Sequence, residues 1–117
     1  MKRDMDLCRK ILLTIEAHTQ NKEIYGFYVD GYDRDVVKYH CDLLKQAGFI
    51  TKSSKDILGE IIVGELTWEG QDFLDKIREE TVWNKIKEVI TQKGATLTFE
   101  IIKSVAPSII SSMITGI

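Results

Sequence analysis

Met5, Cys8, Ile11, Leu12 and Ile15 recur every three or four residues between about Asp4 and His18, with Leu7 beside them. Arg3, Asp6, Arg9, Lys10 and Glu16 hold much of the opposite face. That spacing predicts an amphipathic helix lying on a core. The polar run Thr19-Gln20-Asn21-Lys22 breaks the pattern as a turn, and Ile24 to Val29, aromatic and β-branched, reads as a strand ended by Asp30-Gly31. A second helix is predicted from Arg34 to Ala47. Val36, Val37, His40, Cys41, Leu43, Leu44 and Ala47 gather on one side, and Arg34, Asp35, Lys38, Tyr39, Asp42, Lys45 and Gln46 on the other. Asp33 is its expected N-cap, Tyr32 and Val37 its hydrophobic staple, and Gly48 its closing residue.

Phe49-Ile50-Thr51 starts a second strand, Lys52 to Asp56 reads as a polar loop tip, and Glu60 to Leu66 returns as a third strand. Together they predict a β-hairpin with a loose loop. Thr67 then caps a helix carrying Phe73, Leu74 and Ile77 inward. A further helix is expected around Val82 to Gln92, with Trp83, Ile86, Val89 and Ile90 as its apolar stripe and Gly94 at its end. Trp68 and Trp83 read as core or subunit-interface residues. The last helical stretch begins near Leu97, and Pro107 is expected to kink or split it. Beyond Lys103 there is no charged side chain, and Val105, Ala106, Ile109, Ile110, Met113, Ile114 and Ile117 dominate among serines.

The chain has 117 residues, of which 44% are hydrophobic and 29% charged, a balance that excludes wholesale disorder and fits one domain. A core-forming part at residues 1–80 and C-terminal helices at 81–117 are the expected subdivision. Net charge is −2, with ten Lys/Arg against eight Asp/Glu over residues 1–55 and six against ten over 56–117. This is not the clearly basic balance of a strong nucleic-acid binder. The charged start of the chain has no apolar signal segment behind it, no apolar run is long enough to span a bilayer, and two cysteines make no disulfide framework. A reduced, cytoplasmic setting is the default expectation.

The order helix, strand, helix, hairpin, helix resembles a winged helix, the helix-turn-helix variant with a β-hairpin wing. His40-Cys41-Asp42-Leu43-Leu44-Lys45-Gln46-Ala47-Gly48-Phe49-Ile50 is similar to the end of the recognition helix in many bacterial winged-helix regulators, with Cys41 and Phe49 where leucine is usual. Leu66-Thr67-Trp68-Glu69-Gly70, followed by Phe73-Leu74, resembles the exit from the wing in MarR-type and PadR-type proteins. A resemblance covering nearly the whole chain rests on Met1 to Leu7, Tyr39-His40, Ala47-Gly48, Leu66 to Gly70, Phe73-Leu74 and Thr81-Val82-Trp83. It is to a family of small uncharacterised bacterial and phage proteins, itself winged-helix-like, which brings no activity with it. One departure stands out: the segment Thr19 to Tyr32 reads as turn and strand where a winged helix has its positioning helix.

The fold class expected is therefore α+β, winged-helix-like with a C-terminal helical extension. The resemblance implies duplex DNA as a partner, through Arg34, Lys38, Tyr39, Lys45 and Gln46 on the second helix and Lys52 and Lys55 on the wing, with the lysines and arginine on phosphates. The opposing reading of the same face is solvation, because Asp35–Lys38, Lys38–Asp42 and Asp42–Lys45 satisfy one another within the helix. The functional expectation is a non-enzymatic DNA-binding accessory or regulatory protein. The alternative is a protein–protein adaptor in a phage or mobile-element setting, favoured by the missing positioning helix and the aspartates on the contact face. Ile109, Ile110, Met113 and Ile114 form a stripe for intramolecular packing, a homodimer or another partner; serines opposite them, where a membrane helix carries Lys or Arg, argue against a membrane. No phosphate-binding glycine loop and no metal-ligand spacing of His and Cys occurs, so no cofactor, metal or catalytic centre is expected. His40, among Val37, Leu44 and Ala47, reads as a packing histidine bonded to a nearby carbonyl.

Overall fold

In the computed structural model, described over residues 1–18 and 22–115, α1 (Met5–Ala17) leads through β1 (Glu23–Tyr25) to α2 (Arg34–Gln46). The hairpin strands β2 (Ser53–Lys55) and β3 (Ile61–Gly64) follow, then α3 (Trp68–Ile77), α4 (Glu80–Gln92) and α5 (Phe99–Thr115). The turn predicted at 19–21 and the residue Ile117 lie outside the described residues. The architecture is α+β, with five helices and a three-stranded antiparallel sheet in the order β1-β3-β2 among the described residues. It is compatible with a winged-helix-like arrangement. Residues 22–33 contain no helix, so nothing there occupies the place of a positioning helix. The chain divides into two compact units, Met1–Asp72 and Phe73–Ile117, and the division falls within α3.

In the first unit the two helical stripes form as the spacing predicts. Met5, Leu7, Cys8, Ile11, Leu12 and Ile15 of α1 are buried, as are Val37, His40, Cys41 and Leu44 of α2. Ala47, expected on the buried side, is exposed because it already belongs to the helix end. Asp4 caps α1, its carboxylate accepting from Leu7 N at 3.0 Å. Asp33 occupies the N-cap position of α2, but its side chain makes no capping bond. Gly48 closes α2, with Gly48 N donating to Lys45 O and Phe49 N to Leu44 O.

The sheet departs from the sequence reading in two places. β1 ends at Tyr25, not Val29, because Gly26 takes φ +69° and shifts the next backbone bond, so that Phe27 N donates to Ile61 O at 2.9 Å. The hairpin is longer than predicted. Ser53-Ser54-Lys55, read as loop, pairs with Val63-Ile62-Ile61 as strand β2, while Ile50 and Leu66 make an isolated bridge nearer the base. Backbone pairing with the fully buried strand β3 overrides the polar composition of β2. The tip is therefore Asp56 to Glu60. Asp56 N donates to Glu60 O, Gly59 N to Asp56 O, and the Asp56 carboxylate accepts from Leu58 N and Glu60 N at 2.9 Å each.

The two segments that carried the winged-helix resemblance meet at the base of this hairpin. Thr67 N donates to Phe49 O at 3.0 Å, and the Thr67 hydroxyl donates to Gly48 O while accepting from Gly70 N. Thr51 N donates to Glu65 O at 3.0 Å. The end of α2 and the start of α3 are thus pinned by backbone bonds, and Thr67 is the cap that the sequence predicts.

In the second unit α4 and α5 pack against each other, burying Trp83, Ile86 and Ile90 on α4 and Ile102, Ala106 and Ile109 on α5. Phe73 and Phe99 meet edge to face with centroids 5.3 Å apart. Pro107, expected to kink or split the last helix, lies inside one continuous helix, α5. The proline lies on the exposed side of the helix, where the loss of one internal hydrogen bond is open to water and costs less than in a core. Trp68, expected in a core or interface, is 79% exposed, whereas Trp83 is buried.

Candidate interaction surface

The residues singled out for DNA lie on α2, on β2 and, for Lys52, just before β2, and the first unit brings most of them together with carboxylates. Arg34 pairs with Glu60 at 3.1 Å, Lys38 with Asp42 at 2.5 Å, Lys52 with Glu23 at 3.1 Å and Lys55 with Asp35 at 3.6 Å. Asp42 also accepts from the Ser53 hydroxyl at 2.7 Å, which ties α2 to the hairpin. Glu23 is held below the usual carboxylate range, chiefly by the Tyr25 hydroxyl and then by Lys52. The side chain of Lys38 is only 17% exposed. Tyr39 is half-buried, its ring edge-to-face with His40. Lys45 and Gln46 are exposed near the C-terminal end of α2. Lys52 and Lys55, expected at the tip, stand along the hairpin instead, because the tip lies further on. The surface is electrically balanced, and an exposed ion pair of this kind contributes little stability of its own.

What stands at the tip is apolar. Ile57 is fully exposed and Leu58 is 79% exposed, both on the turn that the Asp56 carboxylate braces. Sequence reading left these two residues unassigned. The signal was the Asp56-Ile57-Leu58-Gly59 tetrad, with aspartate and glycine at the outer positions of a β-turn.

His40 is fully buried and serves structure. Its Nε2 accepts from Asp4 N at 2.7 Å and its Nδ1 bonds Val36 O at 2.8 Å. A backbone N–H can only donate, so Nδ1 carries the proton, and neither ring nitrogen is left for another ligand. Among the described residues no three His, Cys, Asp or Glu side chains group as a metal site would require. No helix is long and apolar enough to cross a membrane.

With this geometry in view, residues 2–96 match the family described as "Hypothetical protein (DUF2513)". An uncharacterised protein of Haemophilus influenzae is 42% identical over 119 residues, spanning 97% of this chain and 99% of its own length. The chain belongs to the DUF2513 family. No solved structure matches it. The family match takes in every element from α1 to α4, including the hairpin and its tip, and stops before α5.

In this member of the DUF2513 family both cysteines are buried, and burial pushes each thiol from 9.0 up to about 12. Neither should react with an alkylating reagent at mildly alkaline pH until the chain unfolds. The unfolded chain ionises its thiols first. Their contribution to stability is thus full below about pH 9 and is lost as the pH rises toward 12. Thiol titration of native and urea-unfolded protein checks this; rapid native labelling would contradict the burial.

Proposed function

We propose that this protein is a non-enzymatic adaptor on a winged-helix-like scaffold, and that it docks another protein through the tip of the β2–β3 hairpin. The observation that carries this reading is the exposed pair Ile57 and Leu58 on a turn braced by Asp56. The surroundings support it. Arg34, Lys38, Lys52 and Lys55 already have carboxylate partners, so a phosphate backbone would have to compete for them. An apolar anchor within a polar, charge-balanced rim is the arrangement of a protein interface.

Duplex DNA is the second reading. It is favoured by Lys45 and Gln46, exposed side by side on α2, with Lys45 outside the ion pairs described above. Fluorescence anisotropy against a random-sequence duplex, at low salt and again at about 0.2 M, separates the two. The adaptor reading expects no saturable binding at either salt. Binding that falls steeply with salt, and is lost in Lys38→Glu/Lys45→Glu, would replace it with the DNA reading. On the adaptor side, Ile57→Asp/Leu58→Asp should fold with unchanged stability, since both side chains are exposed. It should lose whatever protein the native chain retains from a host extract. A partner retained equally by both would place the docking surface elsewhere.

A further inference from the structure

The stripe expected on α5 is divided: Ile109 is buried, Ile110 is half-buried, and Met113 and Ile114 are exposed. A sheet edge in the first unit says more about what would cover it. β1 pairs with β3 on one side, and among the described residues no strand pairs with its other side. In an antiparallel ladder the N–H and C=O of one residue point to the same side, and that side alternates along the strand. Gly64 N donates to Lys52 O, towards β2, and Phe27 N donates to Ile61 O. Ile62 and Gly64 therefore face β2, and Ile61 and Val63 face β1. Ile24, opposite Val63, bonds to β3, while Glu23 and Tyr25, opposite Gly64 and Ile62, turn their N–H and C=O outward. Between this edge and α1 runs a groove of about 690 Å³. It is lined on α1 by Lys10, Leu13, Thr14 and His18, and on the other side by the run from Ile24 to Asp30.

We infer that β1 takes up an extended peptide as a further strand, one with apolar side chains at alternate positions. Outward N–H and C=O pairs on Glu23 and Tyr25, two residues apart, are the pattern that another extended backbone completes. The groove supplies the specificity. Lys10, Thr14 and His18 stand one helical turn apart along about 12 Å of α1, the reach of three to four residues of strand. Every second side chain of an added strand points to the same face, and there it meets Leu13, Ile24, Phe27 and Val29. Leu13, Ile24 and Val29 are only half-buried, so they have apolar surface left to cover. Lys10 and Asp30 bring opposite charges to the groove, which therefore selects apolar side chains and not one sign of charge. A second copy pairing edge to edge is the poorer fit: its three-residue β1 brings only Ile24 to that face and leaves most of the groove open. The inference does not rest on the adaptor reading, because the hairpin tip takes no part in it.

Random heptapeptides displayed on phage and selected on the full chain test it. Those that enrich should carry apolar residues at alternate positions. Synthesised with a fluorescent label, they should bind the native chain in anisotropy titrations, and Tyr25→Pro about tenfold or more weakly. The N–H that this proline removes points to solvent, where an edge strand tolerates the ring, so the variant should fold. Amide exchange reads the native chain directly. With peptide bound it should slow at Glu23 and Tyr25 and stay unchanged at Ile24, which is bonded to Val63 in both states. If Tyr25→Pro unfolds the chain, methylation of alternate peptide amides decides: one set should abolish binding and the other spare it, and two harmless sets overturn the inference. A selection that enriches nothing over the bare support overturns it too. So do peptides that bind while Glu23 and Tyr25 exchange at their free rate, and loss of those peptides in Ile57→Asp/Leu58→Asp would assign them to the hairpin tip. A chain that doubles its mass and protects both amides without peptide would overturn it in favour of a second copy.

Discussion

Gly70→Ala is expected to destabilise the protein by about 3–5 kcal/mol, a large share of the 5–15 kcal/mol typical of a whole domain. Gly70 is buried in the first turn of α3, and a Cβ there would land on the Phe49 carbonyl, within 2.8 Å of its carbon and 3.0 Å of Phe49 Cα. Both sides of this contact are backbone, so no rotamer change relieves it. Relief requires α3 to lift away from the end of α2, which breaks the bond from Thr67 N to Phe49 O and the bond from the Thr67 hydroxyl to Gly48 O. A group freed there and kept from water costs about 1–3 kcal/mol, while the exposed Thr67–Gly48 bond adds less because water can replace it. The better helix propensity of alanine returns only about 1 kcal/mol. Urea unfolding monitored by circular dichroism measures the difference, and a midpoint close to that of the native chain would mean that the close approach relaxes easily.

His40→Leu should cost about 2–4 kcal/mol, although leucine suits the apolar surroundings better. The imidazole accepts the N–H of Asp4, 36 positions before it in the chain, and donates to the Val36 carbonyl. Leucine strands the Asp4 donor at the very residue that caps α1. Glutamine can still accept through its amide oxygen, so His40→Gln should recover part of the loss. Equal losses in the two variants would show that packing around the ring, not the bond to Asp4, sets the cost. Amide exchange at Leu7, whose N–H depends on the Asp4 cap, offers a local check and should quicken in the leucine variant.

Much of the first unit was legible because its helices are regular. The stripes Met5 to Ile15 and Val37 to Leu44 repeat at helical period, and each is buried. Thr67 and Gly48 were readable because capping has a narrow chemistry. The hairpin was harder. Ser53, Ser54 and Lys55 have the composition of a loop, yet they form a strand because β3 supplies backbone partners that composition does not reveal. Moving the strand moved the tip, so Lys52 and Lys55 exchanged the place expected of them for Ile57 and Leu58. The ion pairs were half visible. Lys38–Asp42 follows from helical spacing, whereas Arg34–Glu60 and Lys52–Glu23 join positions 26 and 29 residues apart, which only the fold brings together. Trp68 stands outside the core while Trp83 lies in it, because aromatic content alone does not say which side of a helix start faces solvent.

The clasp between Thr67 and the Gly48-Phe49 carbonyls closes the base of the hairpin, and the Asp56 turn closes its tip. A segment fixed at both ends has little disorder to give up when a partner arrives. Association at Ile57 and Leu58 would then proceed without a conformational step, at a rate set by diffusion and orientation. Substitutions at the tip would act mainly on how long the complex lasts.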